Sequence, residues 1–169
     1  MPIENEFKYP LRLSREIIGR LEAKFSQKSL EQGYLPGDGR VRRVIEDGAA
    51  SCWFTYKQDT EDGPVEIEAQ ISKVDFNRLW PTTSNRLSKT RFSFKEAGVR
   101  WDVDFFGTLS EPYFAMAEAE VPKGASEPAP CALIADHVVA CVGRDKRFTS
   151  KKLANREHAQ AMLAVLHGR

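Results

Sequence analysis

Seven stretches of this chain alternate apolar and polar side chains with period two, the pattern of a strand with one buried face. They are Ile3–Tyr9, Arg40–Ile45, Cys52–Gln58, Val65–Ile71, Ser88–Phe94, Val99–Phe106 and Tyr113–Val121. Helical spacing occurs in three places. Ser14 stands as an N-cap ahead of Ile17, Ile18, Leu21 and Phe25, which fall on one face. A Ser72-x-x-Asp75 capping box precedes Phe76 and Leu79, and Pro81 stops that helix. A third pattern starts near Ser150 and runs through Leu153, Met162 and Leu166. The Pro/Gly/Ser-rich stretch 123–130 is short enough for a loop. Many strands with few helices predict an all-β barrel or an α+β fold, built as one domain over 1–169.

Composition narrows this little. The chain has 169 residues, enough for a real core, and is 41% hydrophobic and 29% charged, which argues against disorder. Lys and Arg total 25 against 24 Asp and Glu, a net charge of +1. That excludes a globally basic binder of nucleic acid polymers, but it permits two large opposing charges held in one place. The N-terminus is acidic rather than a signal sequence, and no run approaches the roughly 18 apolar residues of a membrane span. Cys52, Cys131 and Cys141 are odd in number and lack CxxC spacing, and His137, His158 and His167 share no ligand spacing. The expectation is a cytoplasmic protein without disulfides, thiolate zinc or a Ser-His-Asp signature.

Alternation also sorts the charges. Glu4, Glu6 and Lys8 share one face of the first strand, opposite Ile3, Phe7 and Tyr9. Arg40 with Arg42, Thr55 with Lys57, Glu66 with Glu68, and Lys89 with Arg91 repeat the arrangement. So do Arg100, Asp102 and Asp104, opposite Trp101, Val103 and Phe105, and finally Glu118 with Glu120. A charged strand face is ordinarily a solvated one. Here nearly every strand carries one, in E-x-E, R-x-R and K-x-R pairs of both signs. Carboxylate pairs are hard oxygen ligands for Mg²⁺ or Mn²⁺, and Lys and Arg neutralise phosphate oxygens. Bringing the two sets together requires a closed or nearly closed sheet with a polar interior. From spacing alone, a charged tunnel and solvated surfaces both remain open.

In these residues the sequence resembles the CYTH superfamily, the triphosphate tunnel metalloenzymes. Glu4-Asn5-Glu6-Phe7-Lys8 is similar to its N-terminal E-x-E-x-K signature. Gln32-Gly33-Tyr34-Leu35, Arg40-Val41-Arg42, Thr55-Tyr56-Lys57, Glu66-Ile67-Glu68 and Lys89-Thr90-Arg91-Phe92 follow in order. Val103-Asp104-Phe105, Ala117-Glu118-Ala119-Glu120 and Asp145-Lys146-Arg147-Phe148 with Leu153-Ala154 complete it. The resemblance implies an α+β, mainly β fold: an eight-stranded antiparallel β-barrel forming a tunnel with a charged interior, helices packed outside. It implies Glu4, Glu6, Glu68, Asp104, Glu118 and Glu120 as ligands of Mg²⁺ or Mn²⁺, with Glu66 acting indirectly. Lys8, Arg40, Arg42, Lys57, Lys89 and Arg91 would hold the substrate phosphates, and Lys8 with Tyr34 resembles a pair that assists hydrolysis in bacterial members.

The activity so implied is metal-dependent hydrolysis of a triphosphate. Inorganic tripolyphosphate, giving pyrophosphate and phosphate, comes first because no base-reading pocket is evident. Nucleoside or thiamine triphosphate hydrolysis, adenylate cyclase activity and a non-catalytic polyphosphate-binding module are the alternatives. Trp53 shares a face with Lys57 and is the candidate aromatic platform, whereas Trp101 alternates outward. Three features depart from the family pattern. Leu11–Leu30 reads as a helical insertion, either a packing element or a cover for one tunnel mouth. Asp102 is an extra inward carboxylate, and Arg147, Lys151 and Lys152 place cations at the mouth or in solvent. A homodimer is compatible with the apolar outer faces.

Overall fold

A computed structural model of the chain describes residues 5–168. Among these, eight strands form one antiparallel sheet: β1 (Glu6–Pro10), β2 (Gln27–Tyr34), β3 (Gly39–Glu46), β4 (Ala49–Thr60), β5 (Gly63–Ile71), β6 (Ser84–Glu96), β7 (Val99–Gly107) and β8 (Pro112–Glu120). The helices are α1 (Arg15–Glu22), α2 (Lys73–Leu79), α3 (Ser150–Leu153) and α4 (Arg156–His167). Strand order is β1-β8-β7-β6-β2-β3-β4-β5, and the sheet curls into the barrel-like form that the charged faces demand. Tight turns sustain the twist: Asp47 and Gly48 between β3 and β4 both have positive φ, 49° and 78°, as a type I′ hairpin requires.

One strand was hidden. The helix expected across Leu11–Leu30 ends at Glu22, and β2 follows, flanked by β3 and β6 at the centre of the sheet. Its inward side chains are Lys28, Leu30, Gln32 and Tyr34 and its outward ones Gln27, Ser29, Glu31 and Gly33, so neither face is an apolar row and there is no alternation to read. The Ser14 cap forms as expected, accepting from the Ile17 N–H at 3.3 Å. Ser14 Oγ also lies 2.8 Å from His137 Nε2, and Arg20 pairs with Asp136, so α1 is clamped to the turn at Ala135–His137. It is a packing element. The third helical pattern divides at Asn155, whose side chain accepts from His158 N–H and caps α4.

Two faces of the sheet are buried for different reasons. On the convex side Tyr9, Phe92, Trp101, Val103 and Phe105 pack under Ile17, Ile18 and Leu21 of α1. On the concave side the strands change character along their length. Phe114 and Met116 share the inward parity of Glu118 and Glu120, as Leu87 and Phe106 share that of their strands' charged residues. These apolar ends pack with Phe148, Leu153, Met162 and Leu166 of the C-terminal segment. The remaining concave surface is polar.

The edge strands β1 and β5 are not paired with each other among the described residues. The outer edge of β1 is covered instead by residues 138–143, with Val142 N–H donating to Lys8 O at 2.9 Å and Lys8 N–H to Gly143 O at 3.1 Å. This removes an exposed ladder of backbone donors and acceptors.

Gly33 sits where β2 breaks register against β6, between Gln32 and Tyr34. A Cβ there would lie 2.6 Å from Thr83 Oγ1 and 2.7 Å from Thr83 Cβ. Thr83 cannot move freely, because its hydroxyl bonds Trp80 O and accepts from Arg86. Gly33→Ala is therefore expected to destabilise the fold by about 1–3 kcal/mol through overpacking, read as a lower urea midpoint. An unchanged midpoint would show that the bulge relaxes without cost.

Candidate active site

The concave face encloses a cavity of ≈ 630 Å³. Eight Lys or Arg and seven Asp or Glu supply most of its twenty lining residues, so the interior is charged and nearly self-neutral. A smaller cavity of ≈ 370 Å³ shares its Glu6, Lys8, Tyr34 and Lys57 walls and extends to Arg144 and Lys146. Of the residues singled out from the sequence, Glu6, Lys8, Tyr34, Arg40, Arg42, Lys57, Glu66, Glu68, Lys89, Arg91, Glu118 and Glu120 all line the larger cavity. Glu4 lies outside the described residues.

Strand register explains the convergence. Glu6 of β1 faces Glu120 of β8, Lys8 faces Glu118, and Glu118 in turn faces Asp102 of β7. Arg91 of β6 faces Asp104, and Arg42 of β3 faces Gln32. Side chains directly opposite on antiparallel strands share a face, so the acids and bases of several strands meet in one row.

Beneath the cavity lies its most buried charge. Asp104 is 0% exposed and binds three donors: Lys89 Nζ at 2.5 Å, Arg91 Nε at 2.6 Å and Arg91 Nη2 at 2.8 Å. Burial alone would raise the Asp104 pKa; Arg91 and Lys89 outweigh it and hold the carboxyl below its ordinary range. Burial, helped by the charges of Arg91 and Arg42, pushes Lys89 down to about 8 against the pull of Asp104. Lys89 stands at the border of the polar and apolar zones, 5.3 Å from the Phe106 ring centroid and 3.4 Å from Ser150 Oγ. Burial and the neighbouring Arg40 and Arg91 likewise lower Arg42, whose guanidinium stays protonated at neutral pH.

The extra inward carboxylate has a clear task. Asp102 accepts from Arg91 Nη1 at 3.0 Å and Ser93 Oγ at 2.6 Å, so it helps fix the Arg91 fork. Glu66 lies 3.3 Å from Arg40 and 3.1 Å from Lys57, and Glu68 accepts from Thr55 Oγ1 at 2.9 Å. Glu118 is also buried, which raises its pKa, yet Lys8, Arg91 and Lys89 pull it below the ordinary carboxylate range.

Three residues at the site carried no role in the sequence reading. Gln32, completely buried, joins Arg42 to Tyr34, and Thr149 and Ser150 form part of the wall beside Lys151. Lys151, an exposed residue of the wall, has its Nζ 5.6 Å from the Tyr34 ring centroid. Arg147 instead pairs with Asp145, and Lys152 is exposed. Trp53 does not line the cavity; its Nε1 bonds Ser51, although it shares the inward parity of Lys57. Trp101 is in the convex core as alternation predicts. Tyr34 is the one aromatic residue of the wall among the described residues.

A divalent cation can be tested against this donor set. Among the described residues no three His, Cys, Asp or Glu side chains are already gathered as a metal-binding group. The chemistry nevertheless fits: Glu6, Glu118 and Glu120 are hard oxygen donors on two paired strands, and no soft or imidazole ligand lines the cavity. No helix of the described residues is long and apolar enough to cross a membrane, and the three cysteines are free.

Comparison with known proteins agrees with this geometry. No family model matches the chain. The inorganic triphosphatase of Nitrosomonas europaea is 32% identical over 130 residues, spanning 74% of this chain and 83% of that protein. A hypothetical protein known from its crystal structure is 27% identical, with TM-score 0.53, over 89% of this chain and 97% of its own. A protein from Pyrococcus horikoshii OT3 shares the fold at 20% identity and TM-score 0.52, over 96% of this chain and 89% of its own. With the ordered acid and base pairs inside one curled antiparallel sheet and a triphosphatase relative aligned over most of both chains, the chain belongs to the CYTH, or triphosphate tunnel metalloenzyme, superfamily.

Proposed function

We propose that this protein hydrolyses inorganic tripolyphosphate to pyrophosphate and phosphate with Mg²⁺ or Mn²⁺. The observation that carries the reading is a single cavity in which Arg42, Lys89 and Arg91 stand beside the carboxylates of Glu6, Glu118 and Glu120. Its relative from Nitrosomonas europaea, an inorganic triphosphatase, supports the reaction class. The absence of a stacking aromatic beyond Tyr34 among the described lining residues favours a substrate without a base.

In this reading Lys8, Arg40, Arg42, Lys57, Lys89 and Arg91 hold the phosphate oxygens, the guanidinium forks being suited to bidentate contact. Asp104 and Asp102 keep Arg91 aimed, so the donors need not reorganise as charge develops on the transferred phosphoryl group. Glu6, Glu118 and Glu120, together with Glu4 and Glu68, are the proposed metal donors; Asp104 acts on the site from beneath, through the cations it binds. A divalent cation held by these carboxylates would neutralise substrate oxygens and acidify a water. Water attacks the terminal phosphorus, the bridging P–O bond breaks, and pyrophosphate leaves. Tyr34 and Lys8, on the wall, stand ready to donate to oxygens that gain charge.

Purified protein should release phosphate from tripolyphosphate only with Mg²⁺ or Mn²⁺ added, and faster than from ATP or thiamine triphosphate. Glu6→Gln and Glu118→Gln should each lower turnover by about 10²–10³-fold, the scale of one lost electrostatic contact, with the circular dichroism spectrum unchanged. Tight tripolyphosphate binding without release would make the protein a binding module instead.

Lys89 gives the reaction a pH signature. Its proton is held below about 8 and lost above it, and the charged form is the one that attracts an anion. A bound triphosphate favours that charged form, so affinity is full below this value and falls as pH rises through it. The KM for tripolyphosphate should therefore climb between about pH 7 and pH 9 in the native protein. In Lys89→Gln it should be high throughout and lose this limb; an identical alkaline limb in the variant would remove Lys89 from the phosphate site.

A further inference from the structure

Gln32 is wholly buried on the concave face of β2, directly opposite Arg42 and two residues from Tyr34. Arg42 Nε lies 3.1 Å from Gln32 Oε1, and Gln32 Nε2 lies 2.9 Å from the Tyr34 hydroxyl oxygen. The direction of this chain is fixed by chemistry. An arginine Nε–H can only donate, so the amide atom facing it must be the oxygen. The amide nitrogen must then face Tyr34. Because its lone pair is delocalised, it can only donate, and the phenol oxygen is obliged to accept.

That obligation decides where the Tyr34 proton goes. With its oxygen accepting from Gln32, the hydroxyl hydrogen cannot return along the same line and is left for a second partner. Tyr34 lines the cavity, and Lys151 over the ring face offers no acceptor. We propose that Gln32 is a positioning residue that sets the polarity of the Tyr34 hydroxyl, so that it donates into the cavity to a substrate phosphate oxygen. The inference rests on the reading of Tyr34 as a substrate-contacting residue. The reverse polarity would present a lone pair to an anion and repel it. Arg42 is the origin of the chain, so a phosphate-holding cation and the tyrosine are oriented by one buried amide.

Gln32→Glu tests this with little change of shape. Its carboxylate still accepts from Arg42 but cannot donate to Tyr34, which must turn its hydrogen inward toward the acid. With tripolyphosphate as substrate, kcat should fall roughly a hundredfold, the scale of one lost transition-state donor. In the Tyr34→Phe background the same substitution should change kcat by less than about threefold, since there is no hydroxyl left to misdirect. An effect working through Arg42 alone would be equal in both backgrounds and would overturn the proposal. Gln32→Leu, which neither donates nor accepts and so only frees the hydroxyl, should give a smaller background dependence of the same sign if the acid does not fold.

The Raman Fermi doublet of Tyr34, isolated by subtracting the Tyr34→Phe spectrum, reads hydrogen-bond polarity without turnover. It should move toward the donor-only pattern in ligand-free Gln32→Glu, and tripolyphosphate should perturb it in the native protein. An unmoved doublet overturns the proposal whatever the kinetics. A native protein that binds but does not cleave tripolyphosphate overturns the hydrolytic reading, while the doublet still judges Gln32.

Discussion

The Asp104 carboxylate between Lys89 and Arg91 is the contact on which the rest of the interior depends. A curled sheet that points charge inward removes those charges from bulk water, at a cost of several kcal/mol per ion unless each finds a partner. Asp104 meets that condition with three close donors and no exposure. Its two cations stand on the cavity wall, with Arg91 also 3.7 Å from Glu118. Asp102 and Ser93 extend the same network outward, so Arg91 is held by two acids on one neighbouring strand. A cation fixed in this way loses little entropy when an anion arrives, which is the physical meaning of a preorganised site.

The same strands solve a second problem by changing chemistry along their length. Glu120 and Glu118 are followed, two residues at a time, by Met116 and Phe114, so one face of β8 serves both the site and the core. Phe106 and Leu87 do the same on β7 and β6. The C-terminal segment seats on the apolar ends, and this brings Thr149, Ser150 and Lys151 to the cavity wall. Lys89 marks the boundary, with an aromatic ring on one side and its acid on the other. The position of the terminal helices is thus a consequence of where the charged pairs stop.

Alternation made the inward charges legible because it depends only on strand geometry, and Glu6, Lys8, Arg40, Arg42, Lys57, Lys89, Arg91, Glu118 and Glu120 converge as parity requires. The capped starts at Ser14 and Ser72 were readable for an equally local reason, a side-chain oxygen meeting a free N–H. β2 was not, since its outward Gln27, Ser29, Glu31 and Gly33 are polar or small and Leu30 shares the inward face with Gln32, which erases the apolar period that marks a strand. Depth was also invisible: Asp104 and Asp102 have the same parity on one strand, yet Asp102 lines the cavity and Asp104 is fully buried, because burial depends on the neighbouring strands and covering segment. Trp53 shows the limit from the other side, with inward parity but no place on the cavity wall.

Charge balance links the cavity to the proposed chemistry. Its acids and bases nearly cancel, so a linear triphosphate alone would bring several uncompensated negative charges into a region of reduced dielectric. Two processes offset this. Pairs such as Lys57 with Glu66 and Arg40 with Glu66 face the cavity, and a phosphate oxygen can replace the acid as partner of either cation. A divalent cation near Glu6, Glu118 and Glu120 would compensate part of the remainder and would give the carboxylates so displaced a positive partner of their own. On this view acids and bases are interleaved rather than segregated because each acid acts as counter-charge in two states: toward a cation when the cavity is empty, and toward the metal when the polyanion is bound. The net charge of +1 for the whole chain equals the excess of one cation among the cavity's own lining residues, so the acids and bases outside the cavity cancel.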